Sequence, residues 1–161
     1  MTERVVLPNG VEVQLQHLEF ARWMGAPVPA HNLGAKPVVD LDGCPLFAEL
    51  AVLTRLAEEG WAGCWVDSFR QKYRVAMPPS EPIELPVAEE GLLSRIRERT
   101  GRWGGCWDIF AWRGGDHVFA ELKRAHSTDR IRENQLEFLD AALGLGVPAD
   151  AFYLVEWTFL K

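Results

Sequence analysis

Two apolar runs on either side of Gly114-Gly115 constrain the fold more than any other segment of this sequence. A pair of glycines between strand-like runs predicts a two-residue β-hairpin turn. If these glycines form the turn, Asp108 on the first strand faces Glu121 on the second, with Cβ atoms ~4.5–5.5 Å apart. The side-chain period of two then places Lys123 on the same face as both carboxylates.

Both strands of this hairpin are also apolar on their other face, which is typical of strands in the middle of a sheet. Two carboxylates this close resist joint ionisation, and a divalent cation removes the conflict. Mg²⁺ and Mn²⁺ prefer carboxylate, carbonyl and water oxygens. Asp108 and Glu121 are therefore candidate metal ligands, and the backbone carbonyl of Leu122 is a candidate third ligand. The alternative is a carboxylate pair at a wet end of the sheet, partly neutralised by Lys123.

Two predicted helices each carry a polar side chain on an apolar face. Gln135 falls on the apolar stripe of a helix predicted over 129–145, three residues before Phe138. Glu49 falls on or beside the packing face of a helix predicted over about 45–59. A buried polar residue needs a partner. Each alone is more often an edge residue, but together with the hairpin residues they indicate one convergent site.

The remaining segments alternate between strand-like and helix-like patterns. The predicted elements are a hairpin over 4–16, a helix over 15–24, a loop over 26–43, a strand over 61–75, a loop over 77–86, a helix over 89–100, and a last strand over 151–160. This order predicts a single α/β domain with a mixed sheet over residues 1–161.

Length, apolar runs and cysteine spacing limit the classes of protein to which the chain can belong. The chain has 161 residues, a length that suits one domain, and shows neither a signal-peptide pattern nor an apolar run of membrane-spanning length. Three scattered cysteines favour reduced thiols, and we expect a cytoplasmic protein without a membrane partner.

The formal net charge of −6 argues against a nucleic-acid partner. Residues 93–135 nevertheless carry nine basic and six acidic side chains. Arginines on either side of the hairpin are therefore candidates for contacts with a phosphate backbone: Arg95, Arg99, Arg102, Arg124, Arg130 and Arg132. Solvated helix ends favoured by the helix dipole are the alternative for the first of them.

The Asp108 position, followed after the hairpin by Glu121-Leu122-Lys123, resembles the Asp…Glu-x-Lys motif of the PD-(D/E)XK nuclease superfamily, the restriction-endonuclease-like fold. The segment 129–139 is similar to the VRR-NUC branch, in which a Glu-x-Lys strand precedes a helix with a glutamine. Glu49 is similar to the first-helix acid of the superfamily. The resemblance covers about 45–67 and 106–159. Arg124 departs from it, because VRR-NUC members often have glycine after the lysine.

The resemblance implies an αβββαβ core over 45–161, with a central mixed four-stranded sheet flanked by helices. Residues 1–44 would be an N-terminal extension, and about 70–105 an insertion between the first and second core strands. The implied activity is Mg²⁺- or Mn²⁺-dependent hydrolysis of phosphodiester bonds in DNA, with RNA an open alternative. Analogy with small junction-cleaving members also suggests a homodimer.

The resemblance also implies a role for each site residue. Asp108 and Glu121 would hold the cation together with the Leu122 carbonyl, and Glu49 would assist through water. Lys123 would orient the attacking water or stabilise the charged transition state. Gln135 would position the water or bond to Lys123.

A second hypothesis is a catalytically silent nuclease-like module that binds nucleic acid or a protein partner. The net charge of −6 and the acidic first half of the chain motivate it. The intact set of Asp108, Glu121 and Lys123 favours catalysis. A hydrolase of small phosphate esters ranks last, because the sequence has no GxxxxGK phosphate loop.

Overall fold

The computed structural model describes residues 3–28 and 36–161. These residues form nine β-strands and three α-helices. The elements are β1 (Glu3–Val6), β2 (Glu12–Arg22), β3 (Val38–Leu41), β4 (Cys44–Phe47), α1 (Ala48–Glu58), β5 (Ala62–Asp67), β6 (Lys72–Arg74), α2 (Val87–Thr100), β7 (Ile109–Arg113), β8 (Asp116–Arg124), α3 (Glu133–Gly144) and β9 (Phe152–Phe159). A short 3₁₀ turn, Ala149–Ala151, precedes β9.

The strands form one mixed sheet in the order β4-β3-β2-β9-β8-β7-β5-β6, and β1 pairs with β2. Strand β9 runs parallel to both of its neighbours, β2 and β8, while β5, β7 and β8 form antiparallel pairs. The predicted α/β class with a mixed sheet is confirmed. The sheet is wider than the four strands predicted, because β1–β4 extend it beyond β9 and β6 extends it beyond β5.

The hairpin of β7 and β8 has the predicted two-residue turn. Gly114 and Gly115 both have positive φ angles, 54° and 92°, which is the backbone conformation that a type I′ turn requires. The ladder pairs Arg113 with Asp116 and continues in register to Ile109 and Ala120. The predicted register of the hairpin is confirmed as far as this last pair, and Asp108 and Glu121 lie one residue beyond it.

The prediction for the N-terminal part of the chain is wrong in two places. The hairpin over 4–16 is present as β1 and β2, but the predicted helix over 15–24 is the continuation of strand β2. Residues Gln14 to Phe20 pair in parallel with Tyr153 to Phe159 of β9, and this distant partner satisfies the backbone of β2. The predicted loop over 26–43 contains β3, and its residues 29–35 lie outside the described ranges.

Several boundaries also differ from the prediction. The first core helix begins at Ala48 and not near Pro45, because residues 44–47 pair with β3 as strand β4. The predicted strand over 61–75 is two strands, β5 and β6, joined by a turn at 68–71. Helix α3 begins at Glu133. Helix α2 ends as predicted before Gly101, whose φ of 74° suits a glycine C-cap.

Two apolar layers cover the faces of the sheet. Helix α1 packs on one face with Phe47, Trp65 and Ile109. Helices α2 and α3 cover the other face over a cluster that includes Phe119 and Phe138. The strands between the two layers are buried on both sides, which accounts for their nearly continuous apolar sequence. Within the described ranges, no helix is long and apolar enough to cross a membrane.

Candidate active site

The two carboxylates predicted to face each other tie the end of β7 to β8. Asp108 Oδ2 accepts a hydrogen bond of 2.9 Å from the backbone N–H of Leu122. Glu121 Oε1 accepts one of 3.0 Å from the backbone N–H of Asp108. The carbonyl of Asp108 accepts a further bond of 2.8 Å from Val66 on β5. Asp108 is thus fixed between its two neighbouring strands at one end of the sheet.

At the second oxygen of Glu121, side chains from strand β8 and helix α3 meet. The Glu121 residue is only 2% exposed. Its Oε2 accepts a hydrogen bond of 2.5 Å from Gln135 Nε2 on α3, and it lies 3.0 Å from Lys123 Nζ on its own strand. A buried carboxylate is tolerated only when charge and hydrogen-bond donors compensate it, and the amide and the ammonium supply both.

Gln135 points toward the sheet, as its position on the apolar stripe predicts. It is 3% exposed. Besides donating to Glu121, its Oε1 accepts a hydrogen bond of 2.8 Å from the backbone N–H of Arg132 at the start of α3. The backbone carbonyl of Gln135 accepts a bond of 3.1 Å from Trp107 Nε1. The first turn of α3 is therefore anchored directly to the carboxylate pair.

The ammonium group of Lys123 contacts three oxygen atoms. In addition to Glu121, its Nζ lies 3.2 Å from Asp129 Oδ1 and donates a 2.8 Å hydrogen bond to the carbonyl of Arg130. Lys123 and Gln135 do not contact each other in this arrangement; they share Glu121 Oε2. A direct bond to Lys123, one of the two roles that the resemblance implies for Gln135, is replaced by this shared contact.

Glu49 is buried at the start of α1, 7% exposed, and its partner is Lys36. Lys36 Nζ donates a 2.5 Å hydrogen bond to Glu49 Oε2. Burial lowers the pKa of Lys36, but the charges of Glu49, Asp108 and Asp129 outweigh it and raise the pKa. Sequence reasoning missed Lys36, because a lysine next to a proline-rich loop follows no periodic pattern that would place it beside α1.

The surroundings of Asp108 disfavour the charged form of its carboxyl group. Burial, followed by the charges of Glu121 and Glu49, raises its pKa well above the ordinary value of an aspartate. The backbone hydrogen bond from Leu122 and the charge of Lys36 oppose this rise without cancelling it. Three acids therefore interact at one end of the sheet, and additional positive charge would stabilise the anion of Asp108.

A cleft of about 370 Å³ opens onto this acidic group. Its lining includes Asp108, Gln135, Glu49 and Lys36, together with residues of the turn after β5 and of the loop at 104–106. Lys123 lines a neighbouring groove of about 480 Å³ with the segment 124–131. Glu121 connects the two, because Gln135 of the cleft and Lys123 of the groove contact the same oxygen.

The predicted phosphate-contacting arginines are all exposed, but they are spread over the molecule. Arg132 lines the cleft, and Arg124 and Arg130 line the groove beside it. Arg102 pairs with Glu137 at 3.3 Å. Arg95 lines a cavity with the Gly115 turn at the opposite end of the hairpin, and the Arg99 guanidinium lies against Gly144 at the end of α3.

Two further residues at the cleft were not anticipated. Asp67 ends β5 and is 5% exposed, with Arg74 Nε 3.2 Å and Arg70 at 3.6 Å from its Oδ2. Phe69 follows on the turn and is 90% exposed. The aromatic composition of 61–75 predicts one continuous strand. The sequence pattern therefore gave no sign of the turn at 68–71 or of the exposed side chain of Phe69.

The described residues contain no group of three or more His, Cys, Asp or Glu side chains already arranged to hold a metal ion. A scan against protein-family models, a search of curated proteins and a search of solved structures each gave no match.

Proposed function

We propose that the chain is a metal-dependent nuclease of the PD-(D/E)XK type, closest to the VRR-NUC branch, that hydrolyses phosphodiester bonds in DNA. One observation carries the proposal. Four residues meet at one end of the sheet through a single carboxylate, that of Glu121, which contacts the backbone N–H of Asp108, the amide of Gln135 and the ammonium of Lys123.

The order of elements supports the same assignment. Helix α1 is followed by the antiparallel strands β5, β7 and β8, then by α3, and by β9 parallel to β8. This succession is the αβββαβ pattern that the resemblance implies. Strand β6 and helix α2 lie in the insertion between the first and second of these strands, and β1–β3 belong to the N-terminal extension.

The donor set fits a hard divalent cation such as Mg²⁺ or Mn²⁺. Asp108 and Glu121 are adjacent carboxylates, and the raised pKa of Asp108 reflects an acidic group that additional positive charge would stabilise. These two residues and the Leu122 carbonyl would hold the ion, with Glu49 assisting through water. A bound ion of this kind polarises a phosphoryl oxygen and lowers the pKa of a coordinated water.

The protein's own residues would then supply position and charge. Lys123 is held at a fixed place by Asp129 and the Arg130 carbonyl, so its ammonium is preorganised to orient a water or to stabilise charge that develops on the phosphate. Gln135 holds Glu121 in one orientation through its 2.5 Å bond. Lys36 neutralises Glu49 and faces the cleft, where it can contact a phosphate.

The exposed arginines nearest the site favour nucleic acid as the substrate. Arg124, Arg130 and Arg132 surround the cleft and the adjoining groove. Guanidinium groups contact phosphates without regard to sequence, and such contacts position a backbone more than they select bases. They would guide a DNA strand along the end of the sheet that carries Asp108.

A cleavage panel with purified protein tests the proposal. Single-stranded, duplex and branched DNA and RNA are incubated with Mg²⁺ or Mn²⁺, with and without EDTA, and products are resolved on a denaturing gel. We expect metal-dependent cleavage of at least one DNA substrate by the wild-type protein. Lys123→Ala should abolish it, because the ammonium next to Glu121 is lost. Absence of cleavage on every substrate with either metal would contradict the proposal.

A catalytically silent binding module is the second candidate, and one observation favours it. Both Glu121 oxygens and one Asp108 oxygen already accept hydrogen bonds from the protein, and Lys36 pairs with Glu49. The acids are therefore largely satisfied without a metal ion. Nucleic-acid or protein binding that survives Glu121→Ala, in the absence of any turnover, would identify this alternative.

A further inference from the structure

Phe69 lies at the tip of a well-defined turn between β5 and β6. The turn spans residues 68–71, and the Gln71 N–H bonds to the carbonyl of Ser68 at 3.3 Å. Asp67 accepts a 3.4 Å bond from the backbone N–H of Arg70 and also faces Lys72 in the sheet ladder. These hydrogen bonds hold the turn, and the turn places the Phe69 side chain.

Phe69 is 90% exposed, although a phenyl ring gains stability from burial. The other large apolar side chains that are more than half exposed in the described ranges are aliphatic: Val6, Met24, Val87 and Leu160. Phe69 differs from them in its place as well as in its chemistry, because it lines the cleft that contains Asp108 and Gln135.

Basic side chains lie near the ring, and two of them, Arg70 and Arg74, also pair with the buried carboxylate of Asp67. Arg70 lies with its guanidinium carbon 5.3 Å from the centre of the Phe69 ring. Lys72 is exposed on the next strand, and Arg74 follows it with its guanidinium on Asp67. An aromatic face flanked by basic side chains is the arrangement with which proteins bind unpaired nucleic acid, since bases stack on the ring and phosphates contact the cations.

We propose that Phe69 stacks on an unpaired base and thereby selects single-stranded or locally unpaired DNA for the cleft at Asp108. This inference rests on the proposed nuclease function and names its substrate class. In a duplex both faces of each base are covered by neighbouring bases, so an exposed ring on a turn gains contact only with a base that has left the stack. The adjacent Arg70 and Lys72 contact the backbone on either side of that base.

Binding measured by fluorescence anisotropy in EDTA tests the inference independently of cleavage. The probes are a labelled short oligothymidine and a duplex of the same length. We expect the wild-type protein to prefer the single strand, and Phe69→Ala to weaken single-strand binding by about tenfold while the duplex changes by less than about twofold. Phe69→Trp should retain single-strand affinity, since indole also stacks. Val87→Ala, a change at another highly exposed apolar residue that is not among the cleft residues, is the matched control.

Equal single-strand affinity for wild type and Phe69→Ala would overturn the inference, and so would an equal loss on the duplex. A wild-type protein that binds no oligonucleotide would also overturn it and would favour a protein partner for the exposed ring. The two proposals fail separately. Cleavage that persists without any effect of Phe69 rejects only the stacking role, while Phe69-dependent binding without cleavage rejects only the nuclease.

Discussion

At the scale of single residues, Asp108, Glu121 and Glu49 lie close together at the end of the sheet, and their mutual repulsion disfavours the charged form of Asp108. Asp108 has a raised pKa because burial and the charges of Glu121 and Glu49 disfavour its anion. Lys36 and Lys123 offset part of this charge from either side. Because the charged form of Asp108 is unfavourable in the folded state, removing this charge should stabilise the fold.

Asp108→Asn should raise the melting temperature of the metal-free protein at neutral pH. The raised pKa means that the folded state binds a proton more readily than the unfolded chain does, so wild-type stability falls as the pH rises through that pKa. The asparagine removes this cost, and its amide oxygen can still accept the bond from Leu122. The gain should disappear below about pH 4, where the carboxyl group is protonated in both states.

Thermal unfolding in EDTA, followed by circular dichroism across this pH range, measures the effect. Asp116→Asn is the matched control, since Asp116 is an exposed aspartate at the other end of the same hairpin. A lower melting temperature for Asp108→Asn at pH 7 would show that the Asp108 carboxylate stabilises the metal-free fold, contrary to this account.

At the scale of elements, Gln135 joins α3 to the sheet. Its amide donates to buried Glu121 and accepts from the N–H of Arg132, so one side chain satisfies the start of a helix and a buried acid together. Unsatisfied buried groups of this kind are costly. The alignment of α3 over β8 therefore depends on a polar contact as well as on Phe138 and its apolar neighbours.

Gln135→Ala should lower the free energy of unfolding by about 1–3 kcal/mol, the cost of leaving a buried charged partner without its hydrogen bond. Urea denaturation measures the change. Gln16→Ala, at an exposed position on β2, should alter stability by less than about 0.5 kcal/mol. Equal stabilities of the two variants would mean that the Gln135–Glu121 bond contributes nothing to the fold.

The elements that could be predicted from the sequence are those determined by local patterns. The β7–β8 hairpin follows from two glycines and an alternation of period two, and its register placed Asp108 opposite Glu121. Gln135 was found because it interrupts an apolar stripe. These rules use only neighbours in the sequence, and with them most of the candidate site was assembled.

The parts that could not be predicted depend on distant partners. The pattern over 15–24 predicts a helix, yet residues up to Arg22 continue strand β2, because β9 from a distant part of the chain pairs with Gln14 to Phe20. Lys36 reaches Glu49 from a loop without periodicity. The exposed position of Phe69 could not be predicted, because the aromatic pattern of the strand continues through the turn. In each case a tertiary contact, and not a local preference, decides the conformation.

At the scale of the whole molecule, the two ends of the sheet differ in chemistry. One end carries Asp108, Glu121 and Glu49 with Lys36 and Lys123 beside them. The other end carries the Gly114-Gly115 turn and the cavity lined by Arg95. The overall charge of −6 therefore says little about the site, where buried acids are paired with cations. We expect nucleic-acid binding to be modest and sensitive to salt.

We propose that the carboxylates at one end of the sheet support metal-dependent phosphodiester hydrolysis. The most direct test compares initial cleavage rates in Mn²⁺ for wild type, Asp108→Ala and Asp116→Ala on the best DNA substrate. These aspartates lie at opposite ends of one hairpin. We expect a loss of at least about a hundredfold for Asp108→Ala and an unchanged rate for Asp116→Ala. A rate for Asp108→Ala equal to that of wild type would contradict this proposal.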